Sequence, residues 1–348
     1  MPRGGGNSMV DVVLVYPYFH REGWWRRLWL FPPMGLGYLA AVLREAGYTV
    51  AVLDGTFSSF DALAERLEEL RPRVIGVYCM VTMKDAALAL ADRFKGDALL
   101  VAGGPFPTSA PEVFLGPFDV VVRREGEATF LELVERHLRG EDLHGIDGIA
   151  YRKGGEVVQN RDRDYIGDLD SLPFPARDLF ENQRYKEYWS EKFGYRCTPI
   201  MGSRGCPYNC EYCARPVFGR HYRERSPRNV VDEIEEVLKL GYERVWFSDD
   251  VFTLKRDRIM ALCDEIIRRG LEFDWDCLCR VDSVDGELFA RMRAAGCRRV
   301  FFGIESGDEG VLRTMRKRFT PEDAERAVRL AKEAGIEVGT WFILGYPG

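Results

Sequence analysis

The 348-residue chain has no apolar run approaching the ~18 residues that a membrane-spanning helix needs, so no stable membrane insertion is expected. It has no basic-then-apolar leader running into a small-residue cleavage site, which makes the cytoplasm the expected compartment. It has no excess of positive charge. Lys and Arg number 49 against 55 Asp and Glu, the net charge is −6, and no basic field exists to hold a nucleic-acid backbone. It has no even cysteine set, and nine cysteines without an export signal argue against a disulfide framework. What remains is ordinary for a folded chain: 46% hydrophobic and 30% charged residues exclude a disordered or collagen-like polymer. At roughly 100–200 residues per domain, the length predicts two domains.

Residues 1–8, MPRGGGNS, read as a disordered tail. Residues 9–141 alternate two periodicities. Strands are expected over 10–15, 49–53, 74–79, 98–102 and 119–122, and helices over 35–45, 60–70, 85–94 and 129–138. That alternation predicts an α/β, Rossmann-like doubly wound parallel sheet, with ligands bound beyond the carboxyl ends of its strands. GLGYLA at 35–40, with Asp54 after the next strand, formally matches a dinucleotide fingerprint. The fingerprint needs its glycines directly after the first strand, and about nineteen residues intervene here, so NAD or FAD is not supported. AGGPFPT at 102–108 offers two glycines after a strand, either for close ligand approach or for a plain turn. REGEATF at 124–130 starts a helix. The loop over 16–33 holds Trp24, Trp25 and Trp29 among Arg21, Arg26 and Arg27, which suits a packing arm or a binding surface.

Residues 142–195 have poor periodicity and read as a linker, with a small hairpin over 146–152 and 156–159 and an extended connector, SLPFPARDL. Residues 196–348 contain GCPYNCEYC, in which Cys206, Cys210 and Cys213 follow a strand. Thiolates so close suit zinc or an iron–sulfur cluster. Structural zinc wants four ligands, and no second C-x-x-C or H-x3-H follows, although His221 stays open as a fourth ligand. Cys277 and Cys279 share a face if their segment is a strand, while Cys79, Cys263 and Cys297 read as buried small hydrophobes. Helices over 226–240, 257–268, 286–295 and from Thr320 alternate with strands over 244–247, 273–278, 299–303 and 337–344. In such (β/α) repeats the strand carboxyl ends face the active site. Those ends carry the three cysteines, then Asp249 and Asp250, Arg280 and Glu305.

GCPYNCEYC resembles the cysteine signature of radical S-adenosylmethionine (SAM) enzymes. DDVFT, WDCLCRVDS, FFGIESG and FILGYPG follow in the order of the cobalamin-binding branch, and PPMGLGYLAAVLREAG, AGGPFPT, REGEATF and SLPFPARDL are similar to its N-terminal domain and connector. The resemblance covers nearly the whole chain from Met9. It implies that Cys206, Cys210 and Cys213 ligate a 4Fe–4S cluster whose open iron chelates SAM. It further implies that Tyr212 holds the adenine by its backbone, that Asp249 and Asp250 meet the SAM amino end, that Arg280 meets the carboxylate, and that Glu305 contacts the ribose. Gly35, Tyr38, Gly103, Gly104 and Pro105 would lie along cobalamin. The cobalt-ligating D-x-H-x-x-G motif of related domains is incomplete here, with Tyr18 in place of Asp, so His20 is not expected to ligate cobalt. The resemblance implies radical C-methylation of a small-molecule substrate, with an electron donor such as flavodoxin or ferredoxin. Radical oxidation or cyclisation of the magnesium-protoporphyrin ester cyclase type is the alternative, and a non-catalytic cobalamin sensor a second. Five strands are counted in this half against six in the family's partial (β/α)6 barrel. The barrel is therefore expected to be truncated after strand 5, with 341–344 on an open edge.

Overall fold

The computed structural model describes residues 10–19 and 29–347. The expectations for the 1–8 tail, for His20, and for Arg21, Trp24, Trp25, Arg26 and Arg27 fall outside those residues. The chain divides into two compact units, one running to Ile166 and taking in Leu172–Arg184, the other comprising Gly167–Ser171 and everything from Tyr185.

The first unit is built on β1 (Val12–Tyr16), β2 (Val50–Asp54), β3 (Val74–Tyr78), β4 (Leu99–Gly103), β5 (Val120–Val122), β6 (Ile149–Lys153) and β7 (Glu156–Gln159), in the order β2-β1-β3-β4-β5-β6-β7. The strands from β2 to β5 in that order pair in parallel. Val12–Val15 is buried at every position because helices cover both faces, which is why the strand reads as an unbroken apolar run. Phe60–Leu70 and Lys84–Arg93 pack one face through Leu63, Leu67 and Leu90, and Met34–Glu45 and Glu127–Arg139 the other through Leu36, Leu43 and Leu133.

The expected linker is corrected in one part. The hairpin of β6 and β7 does not stand apart: β6 pairs antiparallel with β5 through Val120↔Tyr151, Val121↔Ala150 and Val122↔Ile149. The three-residue β5 would otherwise leave an apolar edge, and buried Ile149, Ala150 and Tyr151 cover it. A helix over Asn182–Phe193, unforeseen in the same stretch, is anchored by buried Tyr185 and Trp189, four residues apart.

The second unit carries β8 (Cys197–Ile200), a two-stranded ribbon of β9 (Ser203–Arg204) and β10 (Arg223–Glu224), then β11 (Arg244–Phe247), β12 (Asp274–Cys279), β13 (Cys297–Glu305) and β14 (Glu337–Phe342). The sheet order is β14-β13-β12-β11-β8, all parallel. The helices Pro227–Lys239, Arg256–Arg268, Gly286–Ala294 and Pro321–Glu333 cross between strands. They bury Ile200, Val245, Phe247, Trp275, Cys277, Val300 and Phe302 against one sheet face. Cys277 and Cys279 do share that face, with sulfurs 3.5 Å apart inside the core. Cys263 is equally buried, and desolvation pushes its thiol up to about 12. On the alternate positions Arg244 pairs with Asp276 at 2.8 Å, and Trp246 meets Phe301 edge-on at 5.3 Å. Among the described residues no helix is long and apolar enough to cross a membrane.

Trp275 is the keystone of this core: it is wholly buried, its Nε1–H donates to Ala295 O at 2.7 Å, and its ring meets Phe247 and Phe252 at 5.3 and 5.4 Å. Trp275→Ala is expected to cost about 3–5 kcal/mol, read as a lowered urea midpoint. Trp275→Phe, which chiefly orphans the Ala295 carbonyl, is expected to cost about 1–3 kcal/mol.

Candidate functional site

The cysteine loop runs between β9 and β10, whose antiparallel pairing of Arg204 with Arg223 closes its base. Gly205 enters it at φ +83, and a Cβ there would stand 2.4 Å from His221 O, so the approach demands glycine. Within the loop Cys206 N donates to Gly219 O at 3.2 Å and Cys213 N to Cys210 O at 3.2 Å. The Arg215 guanidinium donates to the carbonyls of Cys206 and Tyr208. These bonds hold the backbone and leave the sulfurs unengaged by it. Cys206 is buried, Cys210 half-buried and Cys213 exposed. Although Cys213 is exposed at the surface, partial desolvation raises its thiol, and the charge of Arg215 opposes this first. Among the described residues no three His, Cys, Asp or Glu side chains are already gathered around a metal position. The donor set is nevertheless three thiols on one short loop, a chemistry that fits an iron–sulfur cluster. His221 is an exposed residue whose carbonyl lies against Gly205 at the loop entrance.

Two further strand ends reach this loop. Arg280, directly after β12, is buried with its guanidinium 3.6 Å from the centroid of the Tyr208 ring, and it grips Asp282 through Nε (2.9 Å) and Nη2 (2.8 Å). Glu305, the last residue of β13, accepts from the Tyr212 hydroxyl at 2.7 Å. Burial raises the Tyr212 phenol, and the bond to Glu305 raises it further.

Asp249 and Asp250 part company, which corrects the expectation that both face a ligand. Asp250 is exposed. Asp249 is 0% exposed and turned inward, accepting from Gly202 N at 2.7 Å and Ser203 Oγ at 2.6 Å. Burial raises its carboxyl, opposed first by the charge of Arg258. Arg258 in turn donates to Gly202 O (2.7 Å) and Arg225 O (3.1 Å), and Arg225 is paired with fully buried Glu233. The sequence placed Asp249 correctly at a strand end, but adjacent carboxylates there point opposite ways, and only packing decides which one turns in.

In the first unit, Gly35 and Gly37 lie within the helix Met34–Glu45, not in a turn after β1, so the dinucleotide geometry is absent. Gly35 has open space where a Cβ would stand. Tyr38, expected along a ligand, is 3% exposed and clustered with Met34 and Phe180, which removes it from the open surface. Gly103 ends β4, Gly104 turns at φ +101, and Pro105 begins the short helix Pro105–Ser109. Sequence reasoning missed Lys317 and Arg215, which contact Glu305 and the cysteine loop; no local pattern marks either.

Residues 200–348 match the Radical SAM superfamily and residues 30–134 the B12 binding domain. The chain is 33% identical over 326 residues to an uncharacterized methyltransferase of Pyrococcus horikoshii, covering 91% of this chain and 70% of that protein. It is 31% identical over 353 residues to the anaerobic magnesium-protoporphyrin IX monomethyl ester cyclase of Cereibacter sphaeroides, covering 96% of this chain but only 56% of that one. The fold is shared with the radical S-adenosylmethionine methyltransferase TsrM from Kitasatospora setae, solved with cobalamin and a [4Fe-4S] cluster. Its TM-score is 0.80 at 23% identity, over 98% of this chain and 68% of that one. It is shared as well with the cobalamin-dependent enzyme OxsB, solved with aqua-cobalamin and S-adenosylmethionine, at a TM-score of 0.83 and 23% identity, over 97% of this chain and 50% of that one.

Asp249→Ala strips the acceptor from Gly202 N and Ser203 Oγ and removes the carboxylate charge that faces buried Arg258, and is expected to cost about 3–5 kcal/mol. Asp250→Ala, which loses the bond from Gly205 N at a position water reaches, is expected to cost no more than about 1.5 kcal/mol. Urea midpoints of the two variants check the contrast.

Proposed function

The chain belongs to the cobalamin-binding branch of the radical SAM superfamily, and from that premise we propose that it cleaves SAM reductively to a 5′-deoxyadenosyl radical and methylates carbon on a small-molecule substrate. When bound, the cluster supplies the electron for cleavage and cobalamin carries the methyl group. Cys206, Cys210 and Cys213 are the proposed cluster ligands, fixed by Arg215 and the β9–β10 ribbon. Asp250 is the proposed partner of the SAM amino group, Arg280 of its carboxylate and Glu305 of its ribose, with the Tyr212 backbone against the adenine. A sulfonium amino acid carries both signs of charge, and a partly buried rim holding both signs is its complement. Gly35, Gly103, Gly104 and Pro105 are proposed to border cobalamin. Asp249 holds up the cysteine loop from behind and is left out of the ligand set, as is Tyr38.

One observation carries the reading. The three-thiol loop is joined at once to Arg280 through Tyr208 and to Glu305 through Tyr212, so thiols, cation and carboxylate share one rim. A second reading, radical oxidation of the cyclase type, draws on the identity to the ester cyclase. The proposed electron donor is a flavodoxin or ferredoxin, in an oxygen-protected cytoplasm.

The test is anaerobic reconstitution with SAM and a one-electron reductant. The expected outcome is 5′-deoxyadenosine formation even without substrate, falling to background in Cys210→Ala. With substrate and SAM bearing a deuterated S-methyl group, label in the product supports methylation, and an oxidised product without label supports the cyclase reading. Absence of 5′-deoxyadenosine from fully loaded protein overturns both in favour of a cobalamin-binding sensor.

A further inference from the structure

Lys317 has no place in the scheme above, yet its side chain is only 6% exposed. A buried ammonium needs a reason. Its Nζ donates to Gly303 O at 3.0 Å and to Glu305 Oε1 at 3.3 Å, and stands 5.5 Å from the centroid of the Tyr212 ring. Three local features converge to make this contact. Glu305 takes φ +69, a left-handed conformation that an ordinary residue holds only under constraint, and the β13–β14 register slips between Gly303 and Glu305. A Cβ on Gly303 would come within 2.6 Å of Glu305 Oε1, so the bare glycine leaves the space into which the carboxylate folds back over its own strand. Arg316 takes φ +58 after the helix Glu309–Thr314, and that turn sends Lys317 back toward β13, with Lys317 N bonded to Leu312 O at 2.9 Å. Two of the four non-glycine residues with positive φ among those described therefore shape one ion pair, Glu305 as a member and Arg316 as the neighbour of Lys317.

We propose that Lys317 is a positioning residue for Glu305. It supplies the counter-charge that a nearly buried carboxylate requires and clamps Oε1 over Gly303, which leaves Oε2 to accept from a ligand diol. The Tyr212 hydroxyl is the exchangeable partner on Oε1, because it rides on the cysteine loop, whereas Lys317 is held by its own turn. The inference rests on the proposed contact between Glu305 and the SAM ribose.

The experiment measures equilibrium SAM binding to the anaerobic holoenzyme at matched iron content. Lys317→Met is expected to weaken binding about tenfold, equivalent to ~1.4 kcal/mol, and Lys317→Arg to restore it to within about threefold. In a Glu305→Gln background, Lys317→Met is expected to change affinity by less than about twofold, since its effect runs through the carboxylate. A generic packing role would give the same loss in both backgrounds, and that result overturns the proposal, as does unchanged binding by Lys317→Met. If the methionine variant does not load its cluster, Lys317→Gln in the same two backgrounds makes the same comparison. Wild-type holoenzyme that binds no SAM overturns the proposed function and this inference together; wild type that binds while Lys317→Met binds equally overturns this inference alone.

Discussion

The carboxylate of Asp249 is the point from which the cysteine loop is hung. It lies at the end of β11, yet both its oxygens serve the neighbouring strand, one on Gly202 N and one on Ser203 Oγ. Those two residues lead through β9 into Gly205 and Cys206. Parallel strands are tied by backbone ladders only as far as the ladder runs, and the β8–β11 register ends at Ile200 with Phe247. Beyond that pairing the chain must diverge to form a loop, and a buried side chain takes over the role of the ladder. The cost of burying a carboxylate there is offset by Arg258, whose guanidinium also holds the Gly202 carbonyl. Two ionic groups of opposite sign thereby hold the two backbone polar atoms of Gly202, Asp249 its N–H and Arg258 its carbonyl.

Most of the framework was legible because its signals are local. Val12–Val15 reads as a strand covered on both faces, and Ser226 with Pro227, or Thr320 with Asp323, announces a helix start by chemistry that the structure reproduces, down to the reciprocal bonds of a capping box. The hairpin of β6 and β7 was legible as a hairpin but not as part of the sheet. Its partner, β5, lies some thirty residues upstream, and Lys153, Gly154 and Gly155 resemble any exposed turn. The helix Asn182–Phe193 escaped for a related reason: two aromatic anchors carry its burial, and the other faces are polar.

The site divides along the same line. Cysteine spacing is a property of consecutive residues and shows in the sequence. The split between Asp249 and Asp250 is not such a property, since two adjacent carboxylates at a strand end look alike until one finds buried donors. The setting of Tyr38 was hidden in the same way: it sits in a glycine-rich helix start, and Phe180 from a distant segment packs with it. Lys317 lies twelve residues beyond Glu305 and meets it only because of a left-handed turn at Arg316. Nothing in a single sequence distinguishes that turn from a helix simply ending.

The inner positions of the second sheet explain why reactivity belongs at one end. Near the amino ends, Arg244 pairs with Asp276 and Arg299 with Glu337, at 2.8 and 2.6 Å. Above them Trp246, Phe301 and Trp341 meet in sequence across the strands, at 5.3 and 5.8 Å. Only at the carboxyl ends do charges return, as Arg280 with Asp282 and Glu305 with Lys317. Each lower cation is already matched by a carboxylate at its own level, so these pairs project little field upward. The upper pairs differ in that a partner can be replaced: Asp282 is partly exposed, and Tyr212 belongs to a loop. A zwitterionic ligand arriving there would exchange one set of opposite charges for another instead of desolvating bare ones, and that exchange keeps the electrostatic cost of filling the rim low.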